Sequence, residues 1–230
     1  MQQDKSMREL TTEELYPCRQ VPRKEVKMHF LLADAFKPAV EKDGIPTYPE
    51  QVPLALDYAL LLREHQAFSE EELDSMIRKK DPTRLERYNS LDWRLGRVAL
   101  SDIGPWPEMD GLDIRLTTGN VPETVDRVGR ELARPSGLRI PTNFAHKIES
   151  ILAYRSLILP GFPIILFPGG LERGNHNLWV RTSGEVKKEE QDSWICRIFK
   201  YDNDAGNARA FAYCLSGLLT VEAYFGKERE

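Results

Sequence analysis

Apolar and polar positions change their period near the middle of the chain. In the first half they recur at helical spacing behind clear start signals. Ser69-x-x-Glu72 precedes EELDSMIRKK, and Thr11-x-x-Glu14 shows the same pattern near the N-terminus. In such a pair each side chain satisfies a free backbone N–H of the first helical turn. Asp81-Pro82 offers a capping carboxylate followed by proline at the first helical position. The pattern predicts helices over 69–80 and 82–100. Residues 49–66 are apolar nearly all round and predict a buried helix. Residues 26–36, VKMHFLLADAF, stay open between buried strand and helix, because so short an apolar run gives periodicity nothing to arbitrate.

The second half reads differently. GLDIRLTTG (111–119) alternates and stops at glycine, which predicts a strand, and Asn120-x-x-Glu123 then caps a helix over 121–133. Residues 133–141 form a loop. Phe144, Ile148, Ile151 and Leu152 share one face of a helix over 143–157. Segments 162–167, 177–183 and 193–201 are rich in branched and aromatic residues and predict strands. Their short connections favour antiparallel neighbours. Residues 205–226 read as a last helix, uncharged from Ala210 to Val221, with small residues at Ala208, Ala212, Ser216 and Thr220. That helix is expected to bury Phe211, Cys214, Leu215 and Leu218. The fold expected is α+β: a helical N-terminal half (1–110) packed on a small, mainly antiparallel sheet with a buried C-terminal helix (111–230). The two regions stand apart or form one continuous domain.

Composition removes whole classes. Of 230 residues, 41% are hydrophobic and 30% charged, which suits a chain that folds around a core and not a disordered one. No apolar run approaches the ~18 residues that a membrane-spanning helix needs, and the first residues lack the apolar core of a secretory signal. Cys18, Cys196 and Cys214 are too scattered for a disulfide framework. The expected location is the cytoplasm, with no membrane partner. The formal net charge of −4 is shared evenly by residues 1–100 and 101–230, so no tail or half advertises a polyanion partner.

Local charge is more suggestive. On a helix over 82–100, Arg84, Arg87, Arg94 and Arg97 fall within about 140° of one another. Arginine's planar fork suits phosphate and carboxylate, so this face is a candidate contact for a protein partner or a polyanion such as nucleic acid. A solvated helix face is the alternative. Asp57 sits in the apolar stretch VPLALDYALL. A carboxylate so placed needs a donor or has its pKa raised, which makes Asp57 either half of a structural pair or a candidate catalytic acid. The histidines and cysteines form no constellation, and no nucleophile elbow, P-loop or dinucleotide fingerprint follows a strand.

The string YDNDAGNARAFA (201–212) brings Asp202 and Asp204 to a strand end, then a glycine, then a helix. Over about a dozen residues it resembles the acidic strand-to-helix turn of Toprim domains, whose paired aspartates hold Mg²⁺ for phosphoryl transfer. It is one residue short between the second aspartate and the glycine. The strand IILF runs into Pro168 where that family ends a strand with glutamate, so no family is assigned. The plainer reading makes Asp204 the cap of the last helix. The function expected is a non-catalytic cytoplasmic binding or assembly protein acting through the Arg-rich helical surface, with no cofactor. The alternative is a Mg²⁺-dependent enzyme acting on phosphodiesters through Asp202 and Asp204, with Glu172 or Glu185 as third acid.

Overall fold

A computed structural model describes residues 18–42, 45–46, 54–153, 161–169, 179–181, 194–196 and 199–229 of the chain. The expected Thr11 capping box lies outside these residues. The apolar run left open by its periodicity is helical. Helix α1 (Arg23–Val40) buries Val26, Met28, Phe30, Leu31 and Leu32, which lie on several sides of its axis. Burial all round erases the stripe that would have announced a helix. Lys27 is 1% exposed, and its Nζ meets Glu70 and Asp74 of the third helix at 2.7 and 2.6 Å. Helix α2 (Leu54–Ala67) packs on α1, yet Leu60 is half exposed, so α2 is not buried on every side. Asp57 falls in its first turn, with its side chain outside the described residues.

The start signals hold. Helix α3 (Glu70–Lys80) opens with the reciprocal Ser69–Glu72 capping box, and α4 (Pro82–Ser90) opens on Asp81, which accepts the Arg84 N–H at 3.0 Å. The expected helix to residue 100 does not. It stops at Ser90 and runs straight into strand β4 (Leu91–Ala99). The buried indole of Trp93 donates to the Tyr88 carbonyl at 3.0 Å and satisfies one of the carbonyls that a helix end leaves open. Leu91, Trp93 and Leu95 fit a period of two as well as the helical stripe fits 3.6. Long-range pairing decides the matter, since β4 is hydrogen-bonded along both sides.

The main sheet has the order β1-β4-β10-β6-β9-β5, from β1 (Arg19–Val21), β4, β5 (Ile103–Gly104), β6 (Ile164–Pro168), β9 (Tyr201–Ala205) and β10 (Thr220–Glu228). The pairs β10/β6 and β5/β9 are parallel and the other three antiparallel, so the α+β fold carries a mixed sheet instead of a mainly antiparallel one. Strands from before residue 111 stand at both edges of this sheet, and strands from after it fill the middle. Among the described residues there are also two short antiparallel pairs, β2 (Glu41–Lys42) with β3 (Ile45–Pro46) and β7 (Trp179–Arg181) with β8 (Trp194–Cys196).

Helices cover both faces of the sheet. On one, Trp93, Ile165, Phe167 and Tyr224 pack against α1, α3 and α4 through Phe30, Leu73, Ile77, Leu85 and Tyr88. On the other, Val98, Ile164, Leu166 and Phe225 meet α5 (Val121–Ala133), α6 (Thr142–Ala153) and α7 (Asn207–Leu215) through Val128, Phe144, Ile148, Ile151 and Phe211. Among the described residues no helix is long and apolar enough to cross a membrane.

Two further expectations are corrected. Residues 111–119 form no strand. Asp113 accepts the Arg115 N–H at 3.0 Å, and Thr117 bonds Ile114 O at 3.0 Å, so local side-chain bonds wind a tight turn over Ile114–Thr117. The last helix ends at Leu215 instead of running to 226. Gly217, at φ 80°, donates to Cys214 O at 2.9 Å, and Leu218 donates to Tyr213 O at 3.1 Å. This pair of bonds is a Schellman stop, which needs a residue in the left-handed region and finds it in glycine. Leu215 is therefore 51% exposed and Leu218 half-buried, while the expected helix tail is β10, the strand at the centre of the sheet.

The imidazole of His29 on α1 lies 5.2 Å from the Tyr224 ring, and burial lowers its pKa to about 4. Its folded value is below that of the unfolded chain, so the stability it contributes is complete above pH ~6.5 and is lost as pH falls through about 4. Urea unfolding from pH 7 to pH 4 should show a loss of about 2–3 kcal/mol that His29→Gln lacks. Equal pH slopes in the two proteins would remove the assignment.

Candidate functional site

Strand β9 carries one residue too many for its partner. Leu166 pairs with Asn203 and Ile165 with Ala205, which leaves Asp204 as the inserted residue of a bulge. Bulges re-aim side chains and bend the strand. Here the bulge delivers Asp204 to α4. Its Oδ1 accepts from Arg84 Nε at 3.0 Å and its Oδ2 from the Tyr88 hydroxyl at 2.7 Å. The carboxylate is 5% exposed, and burial raises its pKa while Arg84 and Tyr88 pull it back. The Tyr88 hydroxyl is held well above its ordinary pKa, by its own burial first and by Asp204 second. Asp204 is thus no helix cap. The cap position of α7 is Gly206, which has no side chain to offer.

The four arginines of the expected binding face part company. Arg84 belongs to Asp204. The Arg87 guanidinium lies 3.7 Å from the centre of the Phe167 ring, a cation–π contact beneath α4. Arg94 and Arg97 lie beyond the end of the helix, on β4, where Arg94 Nη1 is 3.7 Å from Cys18 Sγ and Arg97 is exposed opposite Glu222. One helix face cannot hold them, because α4 stops at Ser90.

Asp202 is also buried on β9, opposite Phe167. Among the described residues no three His, Cys, Asp or Glu side chains gather as metal ligands. Glu172 and Glu185, the acids expected to complete such a set, lie outside the described residues. His146 and Glu149 meet each other at 3.6 Å on the exposed side of α6.

The bulge and the turn after it open onto a cleft of about 390 Å³. Its apolar lining comes from Phe30 and Ala33 of α1, Trp106 and Met109 of the loop after β5, Ile151 of α6, and Phe162 ahead of β6. Its polar lining comes from Asp34, Arg84, Asp110, Lys147 and the turn Asp204–Arg209. Most of these charges are matched. Asp34 pairs with Lys80, Asp110 with Lys147 and Asp204 with Arg84.

Arg209 differs. Its Nη1 donates to the carbonyls of Phe162 and Pro163, the latter at 3.2 Å, and among the described residues no carboxylate pairs with it. Burial lowers its pKa. Its guanidinium lies across Gly206, where a Cβ would stand 2.9 Å from Nη2. Gly206 also has φ 102°, so glycine is required there both by the backbone and by the guanidinium above it.

The opposite wall is held under backbone strain. Glu108 and Asp110 have φ of 56° and 52°, in the left-handed region that non-glycine residues rarely enter. The Trp106 N–H donates to Asn207 Oδ1 at 2.8 Å and ties this loop to the first residue of α7. Strained residues of this kind concentrate at sites that hold ligands.

Arg209, Asn207, Trp106 and Lys147 belong to no motif or spacing that marks them in the sequence. Arg209 could have been found by the argument applied to Asp57, since it is the one charge in AGNARAFAYC. No family model matches the chain, and no curated protein or solved structure does either.

Proposed function

We propose that the chain is a non-catalytic binding protein of the cytoplasm, and that its ligand is a small organic molecule held in the cleft between α1, α4, α6 and the β9–α7 turn. One observation carries the reading. Segments far apart in the chain converge on a cavity with an apolar floor and a few placed polar groups, the usual anatomy of a small-molecule site. The ion pairs Asp34–Lys80, Asp110–Lys147 and Arg84–Asp204 lock its walls in advance, which lowers the cost of ordering on binding. Binding is favoured over catalysis because each acid that lines the cleft is already paired with a cation, Asp34 with Lys80, Asp110 with Lys147 and Asp204 with Arg84.

The test is to fill the cavity. Ala33 lines it and is only partly buried, so Ala33→Phe adds volume inside the cleft without opening the core. Fragment screening by NMR should find ligands that shift the resonances of residues 106–110 and 204–209. Ala33→Phe should weaken them at least about ten-fold while the protein stays folded. Hits that ignore Ala33→Phe, or a screen without hits at these residues, would end the proposal.

A further inference from the structure

Resting on that reading of the cleft, we infer that its ligand is a small monocarboxylic acid with an aromatic or aliphatic body, anchored through its carboxylate by Arg209. The charges that line the cleft carry this. Three acids and three cations face it, and two of those cations, Arg84 and Lys147, are already matched by Asp204 and Asp110. The third acid, Asp34, is matched from outside the lining by Lys80. That leaves one guanidinium in the lining without a counter-ion.

The Arg209 side chain is fixed before any ligand arrives. Nη1 is committed to two backbone carbonyls, and neither Nε nor Nη2 has an acceptor among the described residues. A planar fork with free N–H groups is the arrangement that donates two parallel hydrogen bonds to a carboxylate. A partly buried guanidinium held only by neutral carbonyls bears an unrelieved desolvation cost, and an incoming anion relieves it. The start of α7 adds to this. Gly206, Asn207 and Ala208 line the cleft beside Arg209, no side chain caps the helix there, and the helix dipole favours negative charge at that end.

The same tally argues against a phosphate. A dianion would leave one charge unmatched within the reach of Asp34, Asp110 and Asp204, which also line the cavity. The rest of the ligand is set by the floor. Phe30, Met109, Ile151 and Phe162 offer apolar surface, and Trp106 stands at the rim, 39% exposed. A cavity of about 390 Å³ suits a body of modest size.

The experiment titrates the whole chain, by NMR and calorimetry, with phenylacetate, 3-phenylpropionate, hexanoate and octanoate. Each is set beside its primary amide, and phenyl phosphate is added as the phosphate arm. At least one acid should bind about ten-fold or more tightly than its amide, with shifts at residues 204–209. Arg209→Gln should erase that advantage and leave amide binding unchanged. The ratio of acid to amide in the unmodified protein tests the inference even if Arg209→Gln fails to fold. An acid and amide of equal affinity would overturn the carboxylate anchor and leave the cleft reading standing. Phenyl phosphate binding more tightly than every acid would overturn the monoanion assignment. No shift at the cleft with any acid or amide would overturn both the inference and the reading it rests on.

Discussion

Phe211→Ala should lower the unfolding free energy by about 3–5 kcal/mol, and Leu215→Ala, one helical turn later, should change it by less than about 0.5 kcal/mol. On an uninterrupted helix, residues four apart share a face and would be expected to share a fate. Here they do not. Phe211 is 3% exposed and meets the Phe144 ring edge-to-face at 5.1 Å, so truncation removes a large apolar surface and leaves a cavity between α6 and α7. Leu215 is the last residue of the helix, ahead of the Ser216–Gly217 stop, and half of it faces water. Urea unfolding of the two variants checks the contrast. Similar losses for both would mean that the helix continues past Leu215 and buries its second half.

The pair also shows what the sequence could and could not disclose. The caps at Ser69, Asp81 and Asn120 were legible because each is a bond between residues three apart, written wholly in local sequence. The α+β class followed from them and from the branched, aromatic runs of the second half. The two places where helix gives way to strand, at Ser90/Leu91 and between Leu215 and Thr220, were not legible by periodicity. Leu85, Tyr88, Leu91, Leu95 and Val98 fit a helix, and Leu91, Trp93 and Leu95 fit a strand. The choice falls to β10, which pairs with β4 from Leu91 to Ala99 and comes from the far end of the chain. A local signal did exist at the second place, the Ser216–Gly217 stop, and the small-residue stripe running through it masked it.

The candidate site was half visible for the same reason. The string around Asp204 and the helix bearing Arg84 each drew attention separately. That they form one unit, 120 positions apart in the chain, depends on the bulge in β9, which no single segment encodes. The parallel pairs escaped for a related reason, because the segments between them are long and partly helical and hairpin logic does not apply to them.

Asp204→Ala should cost about 3 kcal/mol, well above the ~0.5–2 kcal/mol expected for the loss of a helix cap. The carboxylate is nearly sealed, and removing it strands two donors at once. Tyr88 is fully buried, so its hydroxyl would keep no acceptor, and Arg84 would lose its counter-ion. The cost falls at the lower end of the range for a broken buried pair, since Arg84 remains 27% exposed and its guanidinium also lies 4.9 Å from the Phe30 ring centre. Asp204→Asn keeps an acceptor for Tyr88 and should cost only about 1–2 kcal/mol. A double-mutant cycle with Arg84→Ala should return a coupling of about 1–3 kcal/mol, which a capping carboxylate would not show. The same geometry bears on divalent metal. A carboxylate only 5% exposed, with a guanidinium already at 3.0 Å, has no room for the waters that Mg²⁺ keeps and would have to seat a second cation beside the first, so millimolar Mg²⁺ should leave the melting temperature of the unmodified protein unchanged. A loss below about 1 kcal/mol in Asp204→Ala, joined to stabilisation by Mg²⁺, would show that the Arg84–Asp204 pair is not the resting state of this carboxylate and would return the acidic turn to contention as a metal site.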